Sequence, residues 1–371
     1  MKTLTILGTR PEAIKLAPVI EALKRDPQIT SKVCVTAQHR ELLDPLLEIF
    51  NIKPDYDLDL MRPDQCLVEL AAEALKALKG VIEAESPDWV IMQGDTTTAL
   101  AAALSAYYSG MRIAHVEAGL RSGERSKPFP EEMDRRLIDH LSDLCFAPTE
   151  RAAENLLNEG ISPARIHVTG NTVVDMLFRV IQDPRFCQVK PPVDLGEDRR
   201  LILVTAHRRE SFGAPLERIC RAIAQIAEQN PKVEIVFPVH LNPNVQRQVY
   251  RCLKDVERVH LIGPISDYFR FLKLMERSYL ILSDSGGIQE EAPSLRKPVL
   301  IMRDVTERPE VVELGLAKLV GTSVESIVGE TQRLLDDPAA YEAMHAGVNP
   351  YGDGRAAERI ISILKAQGEL G

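Results

Sequence analysis

The sequence predicts an α/β protein made of two doubly wound, Rossmann-like domains, each with a parallel sheet, facing each other across an interdomain cleft. Three observations predict it. Short apolar runs alternate with longer amphipathic segments along almost the whole chain; the runs fall into two sets of about five; and a polar, proline-rich stretch separates the sets. Strands buried on both faces read as continuous apolar runs, and strand–helix alternation produces parallel sheets covered by helices.

In chain order, the first set is LTILG, KVCVTA, DWVIMQG, MRIAHVE and DLCFAPT. The second is RLILVTAH, VEIVFPVH, RVHLIG, YLILSDS and KPVLIM. Between them, segments such as EAIKLAPVIEALKRD, LVELAAEALKALKGVIEAE and LERICRAIAQIAEQN repeat their apolar residues at helical spacing. The stretch PRFCQVKPPVDLGEDRR, residues 184–200, breaks both patterns and reads as a linker. The expected first domain is therefore 1–183 and the second 201–352. The closing stretch, 353–371, reads as an amphipathic helix.

Composition removes several function classes. A formal charge of -9 argues against a nucleic-acid-binding surface, and no apolar stretch approaches the ~20 residues of a membrane span. The first apolar run is cut short by Arg10 and Glu12, unlike a secretory leader. Cys34, Cys66, Cys145, Cys187, Cys220 and Cys252 are scattered without CxxC spacing, the pattern of reduced thiols in a cytoplasmic protein. The histidines lack metal-ligand spacing, no carboxylate-rich Mg²⁺ loop occurs, and the GxGxxG dinucleotide fingerprint is missing. Neither a metal nor another cofactor is expected.

Ligands of open parallel sheets bind beyond the carboxyl ends of the strands, so the residues after each run carry the functional information. Gly8-Thr9-Arg10-Pro11-Glu12 follows the first, with Lys15 a helical turn on; two cations beside a helix N-terminus suit an anion, although an ordinary turn with a solvated Arg also fits. Asp95 follows the third run, Glu117 the fourth, and Glu131 comes shortly after, carrying three carboxylates to one sheet edge. Grouped carboxylates raise one another's proton affinity, as a base that also holds a proton near neutral pH requires. Asp95 before Thr96 is equally an ordinary helix cap. His115 reads as structural.

In the second set, His207 and Arg208 follow one strand, His240 another, Asp284-Ser285-Gly286-Gly287 a third, and Arg303 and Arg308 a fourth. Backbone N–H groups at a Ser-Gly-Gly turn suit a phosphate, and His and Arg concentrate in these loops while the whole chain is acidic.

The ordered set GTRPEAIKLAPVI, TAQHRELLD, QGDTTTALAAA, HVEAGLRSG, PFPEEMDRR, GNTVVDML, HRRESFG, PVHLNPNV, DSGGIQEEAPSL, TERPE and NPYGDGRA resembles the non-hydrolysing UDP-N-acetylglucosamine 2-epimerases of bacteria, most closely the enterobacterial type, almost from end to end. The resemblance implies a GT-B-like fold with UDP in the interdomain cleft, a C-terminal helix returning to the first domain, a homodimer, and a supply of UDP-N-acetylmannosamine to envelope polysaccharide synthesis. It implies catalytic roles for Asp95, Glu117, Glu131 and His207. Arg10 and Lys15 would lie near the phosphates, with Arg135 a further basic group. Ser285, Gly286 and Gly287 would cradle the diphosphate, Glu291 would meet the ribose, Phe271 would flank the uracil, and Arg308 is the basic position of TERPE. An allosteric second UDP-sugar site would use Gln38, His39, Gln65, Arg208 and His240, although Asp64 stands where that site has a basic residue. Two further departures are Ala206, where close relatives usually carry Gly, and Asp134, where Asn is common; the latter adds charge close to Glu131. Competing readings are a GT-B glycosyltransferase, a hydrolysing 2-epimerase and a non-catalytic UDP-sugar sensor.

Overall fold

The computed structural model describes residues 1–37, 40–62, 65–193, 196, 198–208 and 211–368. Contacts divide the chain into two compact units, Met1–Arg179 with Tyr351–Gly371, and Val180–Pro350.

The first unit holds strands β1 (Lys2–Leu7), β2 (Thr30–Val35), β3 (Tyr56–Asp57), β4 (Trp89–Gln93), β5 (Arg112–Val116), β6 (Leu144–Ala147) and β7 (Ile166–Val168). They form one sheet in the order β3-β2-β1-β4-β5-β6-β7, with every pairing parallel. Helices α1 (Arg10–Arg25), α2 (Arg40–Ile49), α3 (Leu67–Glu85), α4 (Thr97–Tyr108), α5 (Glu131–Leu141), α6 (Glu150–Asn158) and α7 (Thr172–Gln182) connect or follow them.

The second unit repeats the plan. Strands β8 (Arg200–Thr205), β9 (Val233–Pro238), β10 (Val259–Ile262), β11 (Ser278–Ser283), β12 (Val299–Ile301) and β13 (Ala317–Leu319) run parallel in the order β10-β9-β8-β11-β12-β13. Helices α8 (Ala214–Gln229), α9 (Pro243–Leu253), α10 (Tyr268–Arg277), α11 (Gly286–Glu291), α12 (Pro309–Glu313), α13 (Val324–Asp336) and α14 (Pro338–His345) accompany them.

Among the described residues, seven and six strands replace the two sets of about five that periodicity suggests. The additional ones, β3, β7 and β13, are edge strands of only two or three residues, too short to show a pattern. The long central strands are buried runs as expected: β4 is buried at all five positions, and β1 at five of six. In both sheets the order reverses beside the first strand, between β1 and β4 and again between β8 and β11. Those reversals are the topological switch points where such sheets bind ligands.

Helix α15 (Ala356–Gly368) completes the first unit by packing on α1. Asp175 accepts the N–H groups of Ala356 (3.2 Å) and Ala357 (2.8 Å), satisfying the start of the helix, while Lys365 reaches Asp26 at 2.6 Å near its end. Among the described residues no helix is long and apolar enough to cross a membrane.

Gly119, just after β5, shows why its motif needs glycine. Its φ is +85°, and a Cβ there would stand 2.2 Å from the Ala152 carbonyl oxygen. The tight passage carries the chain from Glu117 beneath α6.

Candidate active site

At the first unit's switch point, Glu12 ties two strand-end turns together. Its buried carboxylate accepts the N–H groups of Gly8 (2.6 Å) and Thr9 (2.8 Å) after β1, and the hydroxyl of Thr96 after β4. Burial pushes its pKa up, against the pull of those hydrogen bonds. The framework under Arg10 and Asp95 is thus set by a residue that reads, in sequence, as an ordinary first-turn acid.

Strands β4 and β5 are adjacent and pair Gln93 with Val116, so Asp95 and Glu117 leave neighbouring strands just past the last paired residues. Glu117 has φ +68°, a left-handed conformation that costs a non-glycine residue energy and is typical of functional positions. Its side chain is only 6% exposed. One carboxylate oxygen takes the Lys15 ammonium and the Asn171 amide (2.7 Å); the other takes the Gln93 amide (3.0 Å). Donors from α1, β4 and the turn after β7 therefore fix the carboxylate in one orientation. Lys15, expected beside phosphate, is buried and engaged with Glu117.

A second group forms where α5 begins. Arg135 is buried and reaches Asp95 Oδ2 at 2.5 Å and Glu132 Oε2 at 3.3 Å. Glu132 is fully buried and also accepts the Ser122 N–H at 3.0 Å. Glu131 opens the same helix, and its charge, like that of Asp95, acts on Asp134. Asp95, Glu131 and Arg135 are thus brought together, with Asp134 among them. Arg10 opens α1, half-buried.

Behind both groups, His115 keeps a structural role. It is fully buried, with Nδ1 2.7 Å from Asp139 and Nε2 2.7 Å from the carbonyl of Gly94, the residue before Asp95. Asp139 also accepts Arg121 (2.7 Å) and the Gly119 N–H (3.3 Å), so one buried carboxylate braces the turns on either side of Glu117.

In the second unit, Asp284 directly follows β11, fully buried, and accepts the N–H groups of His207 (2.7 Å) and Arg208 (2.9 Å) after β8. Its other oxygen lies 2.9 Å from His207 Nδ1. Burial raises its pKa, but His207 and the two N–H groups outweigh burial and hold it low. The imidazole is thereby oriented across the switch point, half-exposed and stacked 5.9 Å from the His240 ring. Ser285, Gly286 and Gly287 follow directly, with Gly286 opening α11. A Cβ on Gly286 would meet the Arg308 guanidinium at 2.5 Å. Arg308 pairs with fully buried Glu290 at 2.6 Å, and Arg303 with Glu307 at 2.9 Å. Burial would raise Glu307, but Arg308 and Arg303 hold it down to about 2. The positive excess that these two arginines suggest in sequence is therefore balanced by buried acids. Glu291 is buried and accepts the Tyr268 hydroxyl, and Phe271 lies half-buried on α10.

Of the residues expected at a second UDP-sugar site, Gln38 and His39 lie outside the described residues, as does Asp64. Gln65 donates to Glu73 at 2.8 Å in the first unit, whereas Arg208 and His240 belong to the second.

Residues 21–365 match the family model described as UDP-N-acetylglucosamine 2-epimerase. A Yersinia pestis UDP-N-acetylglucosamine 2-epimerase is 53% identical over 371 residues, 98% of each chain. A probable UDP-N-acetylglucosamine 2-epimerase of Ralstonia nicotianae is also 53% identical, covering 98% of this chain and 99% of its own. The chain belongs to the UDP-N-acetylglucosamine 2-epimerase family. The crystal structure of the Neisseria meningitidis UDP-GlcNAc 2-epimerase bound to UDP-GlcNAc superposes with a TM-score of 0.93 at 46% identity, covering 99% of this chain and all of the other. Membership in the epimerase family bears out the resemblance read from the motifs. Gln93, Asn171, Glu12 and Asp284 stand within the same motifs, but their holding of Glu117, of the turns after β1 and β4, and of His207 is not among the roles the sequence implies.

Proposed function

We propose that this chain interconverts UDP-N-acetylglucosamine and UDP-N-acetylmannosamine by eliminating UDP and adding it back. The observation that carries the reading is Glu117: a buried carboxylate held by Lys15, Gln93 and Asn171 in a strained backbone conformation, on the strand next to Asp95, in a chain of this family. The C2 hydrogen of the sugar is not adjacent to a carbonyl, so a carboxylate cannot remove it at a useful rate unaided. Breaking the C1–O bond solves this. The bonding pair leaves with UDP, the C2 proton passes to a carboxylate, and the C1–C2 double bond of 2-acetamidoglucal forms. Proton delivery to the other face and return of UDP to C1 complete the epimerisation.

Asp95, Glu117 and Glu131 supply groups that remove and return protons. Arg10, His207, the Ser285–Gly287 backbone and Arg308 offset the charge of departing UDP, while Glu291 and Phe271 hold the ribose and uracil. Asp284 orients His207 for that task. The same reading gives Gln38, His39, Gln65, Arg208 and His240 to an effector UDP-sugar, pairs two copies as a homodimer, and assigns the enzyme to the cytoplasm.

Epimerisation in heavy water is expected to place deuterium at C2 of the product, because the carboxylate exchanges with solvent while the glucal is bound. Proton NMR of early product checks this. Full retention of the original C2 hydrogen would contradict elimination with a solvent-exchanging base.

A further inference from the structure

Asp134 sits in the first turn of α5 and is only 7% exposed. Its Oδ2 is fully buried and has no hydrogen-bond partner among the described residues. The charges acting on it come from Asp95 after β4, from Glu131 on its own helix, and from Arg135. Arg135 is already committed to Asp95 at 2.5 Å and Glu132 at 3.3 Å. Of the other elements packed on α5, helix α4 offers no titratable side chain except Tyr107 and Tyr108 at its far, exposed end, and His115 of β5 is engaged by Asp139. Among the described residues no group of three or more His, Cys, Asp or Glu has the arrangement to hold a metal ion.

An ionised Asp134 would thus be a buried, unbonded charge beside two other carboxylates, which is costly on both counts. A proton on Oδ2 removes the cost and turns that oxygen into a donor. We propose that Asp134 is a positioning residue that carries a proton in the working enzyme, keeping a third negative charge away from Asp95 and Glu131 and from the anionic substrate. Burial, with Asp95 and Glu131 adding to it, pushes its pKa up to about 7, so loss of this proton falls within the physiological range. The sign follows from the raised value. The folded chain holds this proton more tightly than the unfolded chain, so its contribution to stability is complete in acid and is lost as pH rises through about 7.

Asp134→Asn keeps the shape and the donor but cannot ionise. The kinetic arm of the test rests on the epimerase reading. For the parent chain, kcat/KM is expected to fall roughly tenfold or more between about pH 6 and about pH 8.5, a span that crosses the Asp134 ionisation. The same ratio for Asp134→Asn is expected to change less than about threefold, since kcat/KM reports ionisations of the free enzyme. Superimposable profiles, or a uniform loss of activity with the alkaline limb intact, would overturn the proposal. A second arm needs no activity. Infrared difference spectra of the parent between acid and alkaline pH are expected to show a protonated-carboxyl carbonyl band that titrates near neutrality and is missing from Asp134→Asn. No such band, or the same band in both proteins, would overturn it even if the chain catalysed nothing.

Discussion

Replacing Glu117 by Gln is expected to lower kcat by roughly 10²–10⁴-fold while KM changes little. The substitution keeps the shape of the side chain and an acceptor for the Gln93 amide, but leaves at position 117 no group able to take or return a proton. Because Glu117 is held by Lys15, Asn171 and Gln93 before substrate arrives, no rearrangement should restore the lost function. Steady-state kinetics by coupled detection of UDP-N-acetylmannosamine checks this. Unchanged turnover would remove Glu117 from the reaction. A raised KM with kcat unchanged would make it a binding group only.

Replacing Asp139 by Ala is expected to destabilise the first unit by about 3–5 kcal/mol, the range seen when one partner of a buried ion pair is removed. The carboxylate is fully buried between His115, also fully buried, and Arg121, whose side chain is 7% exposed. Burial works against the Arg121 charge, and Glu159 and Asp139 together outweigh it; without Asp139 only Glu159 is left to do so. Burial would likewise raise Asp139, but His115 and Arg121 hold its pKa below the ordinary range. A depressed carboxylate adds stability above its unfolded value and loses it as pH falls through the native one. Urea denaturation should therefore show the variant's deficit at neutral pH and a narrowing gap in strong acid. Equal stabilities at pH 7 would contradict the bracing role.

The parts of the site legible in the sequence are those where charge stands directly after an apolar strand. Glu117 after IAHV and Asp95 after VIMQG stand out because the strand run ends abruptly in a carboxylate. The groups that grip them do not stand out. Gln93 is the uncharged last residue of a buried strand, and Asn171 follows β7, whose three residues are too few to register as a strand. Lys15 looked like a phosphate ligand because its neighbours in sequence are Arg10 and a helix start. Its partner in the structure, Glu117, is 102 residues away, a distance that local pattern does not bridge. The same limit hid Glu290 and Glu307, which balance Arg308 and Arg303, and Asp284, which reads as a turn residue and proves to orient His207. The long central strands are legible as apolar runs, whereas the edge strands β3 and β13, each paired with one neighbour and only two or three residues long, are not.

The most direct measurement is proton NMR of the purified chain with UDP-N-acetylglucosamine as its sole substrate. UDP-N-acetylmannosamine is expected to accumulate to a fixed ratio, the same ratio is expected when the reaction starts from UDP-N-acetylmannosamine, and traces of UDP and 2-acetamidoglucal should build up at long times. Release of free N-acetylmannosamine in place of the nucleotide-linked epimer, or an unchanged spectrum from active-site-intact protein, would contradict reversible epimerisation by elimination and re-addition.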